Sequence, residues 1–196
     1  MNEAYDQFKT IMEENTYGHP VEIRYGVPFS KVYPAVRLFN YDGFPKPGLS
    51  TILTYGISLA KHEKWVSEKP ELMLTINSMD RNWGGLLGLF SDAARDQSAF
   101  DSGNCFTVNY PVSEDSAMQG FCIGGPAKLP VNPISLIDRR IIIRRAIPIY
   151  IGESEMVAGD KWQDFFNRIG ESQLHDVTRP DLSGGAGIDQ TKLRKA

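Results

Sequence analysis

The sequence predicts an α+β fold with a mixed, mainly antiparallel sheet flanked by helices, on three observations. The run Arg140–Ile151 is the most β-prone in the chain, with Ile141, Ile142 and Ile143 in succession and then Ile147, Pro148, Ile149, Tyr150 and Ile151. Helical spacing of apolar residues recurs near the start, the middle and the end of the chain. The elements interleave as helix, several strands, helix, several strands, helix, which is not the regular alternation of a βαβ succession.

Taken in order, Tyr5, Phe8, Ile11 and Met12 share one side of residues 3–16, the pattern of an amphipathic helix. Tyr17-Gly18-His19-Pro20 stops it, since glycine ends helices and proline cannot continue one. Val21, Ile23 and Tyr25 alternate with polar residues as a short half-buried strand. Extended segments follow at 33–39 and 50–57, separated by a loop from Tyr41 to Gly48 that is rich in glycine and proline. Leu59–Pro70 is polar, with Trp65 alone among charges, and Leu72, Leu74 and Ile76 then alternate as a strand. Trp83, Leu86, Leu87, Phe90 and Ala94 form the clearest helical face, with Ser78, Asp80 and Asn82 as N-cap choices. Gly84, Gly85 and Gly88 each weaken that helix by up to about 1 kcal/mol relative to alanine, so packing must hold it.

Cys105–Tyr110 reads as a strand, Gly124-Gly125-Pro126 as a reversal, and Ile134–Ile137 as a short strand that pairs with or neighbours the main run. Three consecutive isoleucines cannot share one strand face, so the main run should be covered on both sides near its start. Pro148 marks an edge, a bulge or a strand end. Trp162, Phe165, Phe166 and Ile169 give a last helix. One domain over residues 1–180 is expected, with 181–196 as a mobile tail lacking apolar periodicity.

At 196 residues, 41% hydrophobic and 23% charged, the composition is that of a soluble globular protein. No apolar run approaches the roughly 20 residues that span a bilayer, so no membrane is expected as a partner. The acidic N-terminus does not read as a secretory signal, and cytoplasm is the expected compartment. There Cys105 and Cys122 would be thiols, too few for a disulfide framework. The net charge of −3, with its acidic excess in residues 1–120, offers no basic footprint for nucleic acid.

Motifs for catalysis are sparse. His19, His62 and His175 stand apart from one another at no metal-ligand spacing, so neither metal nor cofactor is expected. Ser58-Leu59-Ala60-Lys61 matches Ser-x-x-Lys without its companion motifs. Cys122, flanked by glycines, admits a nucleophile reading but has no nearby base, and a buried structural sulfur is favoured. Glycine-rich phosphate motifs are absent. Glu153 with Glu155, and Glu114 with Asp115, read as exposed turn carboxylates.

Three blocks taken in order resemble the Suppressor of fused family. They are Thr54-Tyr55-Gly56-Ile57-Ser58 with Glu71–Ile76; Trp83, Leu86, Leu87 and Phe90, then Phe100 and Gly103 toward Pro111; and Ile147–Tyr150 with Glu153, Gly159, Phe165-Phe166 and Asp176–Pro180. Together they cover about residues 33–180. The resemblance implies a Suppressor-of-fused-like fold and a non-enzymatic protein-binding module. Animal relatives clamp an extended peptide as an added strand, and bacterial relatives look like immunity proteins that neutralise toxin domains encoded alongside them. The short chain fits the second setting, with another protein, a toxin domain, as partner. The partner-binding candidates are Tyr55, His62, Trp65 and Glu71. Tyr55 and Glu71 also admit a sheet-building role, and Trp65 is either an interface anchor or a lid folded over the core. The alternatives are a hydrolase-like enzyme using Cys122 or Ser58, and a structural scaffold. Nothing in the sequence sets an oligomeric state.

Overall fold

The computed structural model describes residues 3–16, 20–24 and 31–184. Its helices are α1 (Glu3–Thr16), α2 (Asn82–Ala94), α3 (Ser154–Val157) and α4 (Trp162–Ile169). Its strands are β1 (Val21–Arg24), β2 (Arg37–Asp42), β3 (Ser50–Tyr55), β4 (Lys69–Ile76), β5 (Cys105–Thr107), β6 (Gly120–Pro126), β7 (Ile134–Ser135) and β8 (Arg140–Ile149). They form one sheet in the order β1-β2-β3-β4-β8-β6-β5, with β7 also pairing β8. Among the described strands only β4 with β8 is a parallel pair, so the sheet is mixed and mainly antiparallel. The expected residues 17–19 of the helix stop, including His19, and Tyr25 of the first strand lie outside the described residues.

β8 is the axis. Its first half pairs with β4 from Lys69↔Ile141 to Leu74↔Ala146, and its second half pairs with β6. Because side chains alternate, Ile141 and Ile143 turn to one face and meet α1, while Ala146 turns to the other and meets α2. Ile142 between them is only half-buried and joins no apolar cluster, so near the strand start the α2-side face is covered in part. Pro148 sits opposite Phe121, beyond the last β4 pairing, on the side of β8 that β4 has left. Its missing N–H costs no ladder bond there, and its carbonyl accepts from Arg179 Nη2 at 3.1 Å.

α2 seals one face through Trp83, Leu86 and Leu87, which pack on Leu72, Leu74, Ile76 and Phe121. Each such fully buried large apolar side chain contributes about 1.5–3 kcal/mol of transfer free energy, which offsets the glycines of this helix. Just ahead of its first turn Asp80 accepts the Asn82 N–H at 2.9 Å. The opposite face is covered in two places. α1 lies over Phe39, Leu53 and Tyr55, and α4 lies over Cys122, Ile147 and Ile149.

Several boundaries differ from the expectation. β2 runs on through Tyr41, which is buried against α1, so the loop begins only at Gly43. Gly124-Gly125-Pro126 does not reverse the chain. It stays in β6, with an irregularity between Ile123 and Pro126. A Cβ on Gly124 would crowd Ile147 Cδ1 at 2.9 Å and the Phe166 ring at 3.3 Å, whereas one on Gly125 would only make ordinary contact with the Trp162 ring at 3.5 Å. β5 stops at Thr107, short of Tyr110.

The cysteines are a correction. Cys105 and Cys122 are joined as a disulfide across β5 and β6, with Cα atoms 4.1 Å apart. The flanking bonds, Ile123 N–H to the Asn104 carbonyl and Val108 N–H to the Gln119 carbonyl, make Cys105↔Cys122 a non-hydrogen-bonded pair. In that position of an antiparallel ladder opposed side chains come closest. Sequence alone could not show it, because the pairing depends on register.

Candidate functional site

The four candidate residues divide into two groups. Tyr55 and Glu71 lie inside, 4% and 0% exposed. The β3–β4 ladder ends at Leu53↔Met73, where β3 turns away. From there side chains take over the backbone's partners. Thr54 Oγ1 accepts the Leu72 N–H at 2.8 Å and donates to Glu71 Oε2 at 2.6 Å. Glu71 Oε1 accepts the Gly56 N–H at 2.8 Å, the Ser58 N–H at 3.0 Å and the Ser58 hydroxyl at 2.7 Å. A buried carboxylate thus satisfies donors that the departing strand would leave orphaned. Gly56 is required at the turn: its φ of 135° is left-handed, and a Cβ would lie 3.1 Å from the Val36 Cα.

Arg139 closes this network. Its Nε donates to the Ser58 hydroxyl at 3.1 Å and its Nη2 to the Tyr55 hydroxyl at 2.8 Å. Burial pushes the Tyr55 phenol up, with Arg139 opposing in part, so the hydroxyl stays protonated. The Tyr55 ring packs on Tyr5 and Phe8 of α1, with centroids 5.3 and 4.9 Å away. Ser58 is 0% exposed and its hydroxyl is held by Glu71 and Arg139, not by Lys61. A substrate has no path to it.

His62 and Trp65 belong to the outer group. The loop that carries them is fastened to the turn after α2, since Trp65 Nε1 donates to the Ala99 carbonyl at 3.0 Å. Lys64 pairs with Asp101 at 3.6 Å, and the His62 and Trp65 rings lie 5.4 Å apart. The Trp65 ring packs against the α2-side cluster, so it folds down as a lid. His62 borders a polar cleft of about 700 Å³. Glu63, Asp101, Asn104 and Cys105 line the same cleft, and Ser154 and Gly159 form its far wall. β5 runs along it as the last strand of the sheet. Since Asn104 and Val108 bond toward β6, the N–H and C=O groups of Cys105 and Thr107 point the other way, to the open edge.

A second buried centre was misjudged from sequence. Glu153 is not an exposed turn carboxylate: it is 0% exposed and pairs with Arg179 through two bonds of 2.6 Å. It also accepts the Tyr150 N–H and the Leu182 N–H, each at 3.0 Å. Leu182, placed in the expected tail, packs on the α4 cluster, while residues 185–196 lie outside the described residues. Glu114 and Asp115 are exposed as expected, with Asp115 accepting from Ser113, while Ser116 donates to the Val177 carbonyl at 2.6 Å. Arg139 and Arg179 escaped sequence reasoning because an arginine in a turn reads as solvated. No sequence signal marked them, since each meets its tyrosine only in the folded chain, Arg139 at Tyr55 and Arg179 at Tyr150.

Among the described residues no group of three or more His, Cys, Asp or Glu side chains could hold a metal ion. No helix among them is long and apolar enough to cross a membrane.

Comparison with protein-family models gave no match, and comparison with curated protein sequences gave no significant one. Solved structures do match. A crystal structure described as that of a SUFU (suppressor of fused protein) homolog from Neisseria gonorrhoeae superposes with a TM-score of 0.65 at 13% identity, covering 91% of this chain and 93% of that one. A chain of the Sufu-Fu complex superposes with a TM-score of 0.56 at 15% identity, covering 89% and 88%. At such identities the likeness is one of architecture, and the chain has a Suppressor-of-fused-like fold.

Proposed function

We propose that this protein is a non-enzymatic protein-binding module, an immunity protein that occupies the surface of a cognate toxin domain and so blocks it. The observation that carries the reading is the open edge of β5 beside the His62 cleft. An edge strand offers unpaired N–H and C=O groups to an incoming extended segment, and the cleft gives its side chains somewhere to go. A fold shared with a protein solved in complex with Fu supports partner binding as the general task. In this reading His62 contacts the partner directly, Trp65 holds the loop beneath it, and Tyr55 and Glu71 act by keeping β3 and β4 in place. One domain over 1–180 does this work.

The hydrolase alternative loses its two nucleophiles here, since Cys122 Sγ is bonded to Cys105 and Ser58 is enclosed. A cytoplasmic setting and a disulfide pull in opposite directions, because cytosolic thiols are ordinarily kept reduced. Alkylation of source cells lysed directly into denaturant decides the compartment: a cytoplasmic pool labels at both Cys105 and Cys122, which denaturation makes accessible. The function is tested by co-expressing the chain with the toxin domain encoded beside it. A stoichiometric complex and restored growth are expected, and growth arrest despite folded protein would count against the reading.

A further inference from the structure

The two faces of the sheet are unequally covered. α2 lies along one face, whereas α1 and α4 cap opposite ends of the other. Between them a groove of about 580 Å³ opens over β4 and β8. Leu49, Met73, Ile147 and Leu174 give it an apolar floor. Lys46, Lys128 and Arg145 stand at its rim, with His175 beside them.

Charge is what singles this groove out. Its one carboxylate, Glu171, is shared by Arg145 at 3.0 Å and Lys128 at 3.3 Å. Burial raises the Glu171 carboxyl, but Arg145 and Lys128 outweigh it and hold the group below its ordinary range. Glu171 is therefore fully ionised at neutral pH, and one anion still leaves an excess of cations. Lys46 forms no ion pair among the described residues. A cationic groove in a chain of net charge −3 is a local concentration, not a reflection of composition.

We infer that this groove seats an extended segment of the protein partner in which apolar residues alternate with carboxylates. An extended chain places successive side chains on opposite sides, so one set meets the apolar floor while the other reaches the basic rim. This rests on the partner-binding reading and adds a second contact, on the sheet face instead of the β5 edge. The chain's own C-terminal residues are poor occupants, since Lys192, Arg194 and Lys195 repeat the sign of the rim.

The test uses a fluorescein-labelled hexapeptide alternating leucine and glutamate, with companions in which lysine or glutamine replaces glutamate, titrated by anisotropy against the full chain. The glutamate peptide should bind about tenfold or more tighter than the glutamine peptide, the lysine peptide should not bind, and added salt should weaken binding. The double variant Lys46→Glu, Lys128→Glu should lose that affinity while its melting curve stays in place, because both side chains are on the surface. Equal binding of the glutamate and lysine peptides overturns the assignment. So does a dimer, or a gain in affinity on removing residues 185–196, since either gives the groove to the chain itself. Titration with the toxin domain separates the two ideas. If the double variant binds it as well as the natural chain does, the groove assignment fails and the module reading stands; if the natural chain does not bind it, the module reading fails whatever the peptides do.

Discussion

Glu71 lies in β4 and His62 in the loop that leads to it, yet they do opposite things. The Glu71 carboxylate is enclosed and spends both oxygens on donors from Thr54, Gly56 and Ser58. His62 stands at the mouth of a polar cleft, and its imidazole meets only the local Lys64 N–H and the Trp65 ring among the described residues. The contrast teaches that a polar residue next to a strand end is read correctly only when its donors and acceptors are accounted for. Glu71 replaces ladder bonds; His62 replaces none.

The contrast can be broken or sharpened by mutation, beginning with the buried side. Glu153→Gln should have the largest effect, about 3–5 kcal/mol lost in urea denaturation, because it leaves the Arg179 guanidinium enclosed without its counter-charge. Glu71→Ala strands several donors at once, and a loss on the order of 3 kcal/mol is expected from the same measurement. Should either variant unfold at the natural midpoint, buried carboxylates are not what holds the strand ends. Trp65→Ala removes a partly buried ring and its bond to Ala99, for about 2 kcal/mol. It should also free the His62 loop, visible as faster amide exchange at residues 62–65.

Smaller effects test the surface. Asp176 is buried in part, which raises its carboxyl, but bonds from Thr178 and Asn77 and the nearby His175 outweigh this and lower it. A carboxyl lowered in the folded state adds stability that is present above its unfolded value and is lost as pH falls through the folded one. Asp176→Asn should therefore cost a few tenths of a kcal/mol at neutral pH and nothing once pH is well below about 4. A cost that persists in acid would show that Asn77 and Thr178, not the charge, matter there. His62→Ala should move stability least, by no more than about 0.5 kcal/mol, while weakening the complex with the proposed protein partner.

Much of the fold was legible because periodicity is a local signal. The apolar faces of α1, α2 and α4 and the central place of β8 follow from spacing alone. Tyr41 and the Gly124-Gly125-Pro126 segment were misread because glycine and proline mark a break in local preference, and tertiary packing overrode it. At Gly124 the missing side chain leaves room for Ile147 and Phe166 instead of making a turn. The site was less legible. Tyr55 and Glu71 were found by resemblance, but their burial hangs on Arg139, which reaches them from the turn before β8. The Cys105–Cys122 bond and the Glu153–Arg179 pair likewise join residues that meet only through register or a long return of the chain.

The central claim is that a partner adds to the free edge of β5 while Tyr55 and Glu71 only hold the frame. Thr107→Pro tests it most directly, since proline deletes an N–H that points away from β6. Calorimetric titration with the partner proposed above, a co-encoded toxin domain, should show binding weakened by about tenfold or more, with the melting temperature within a few degrees of the natural chain. Full affinity in a variant that melts normally would contradict the claim and move the interface away from β5.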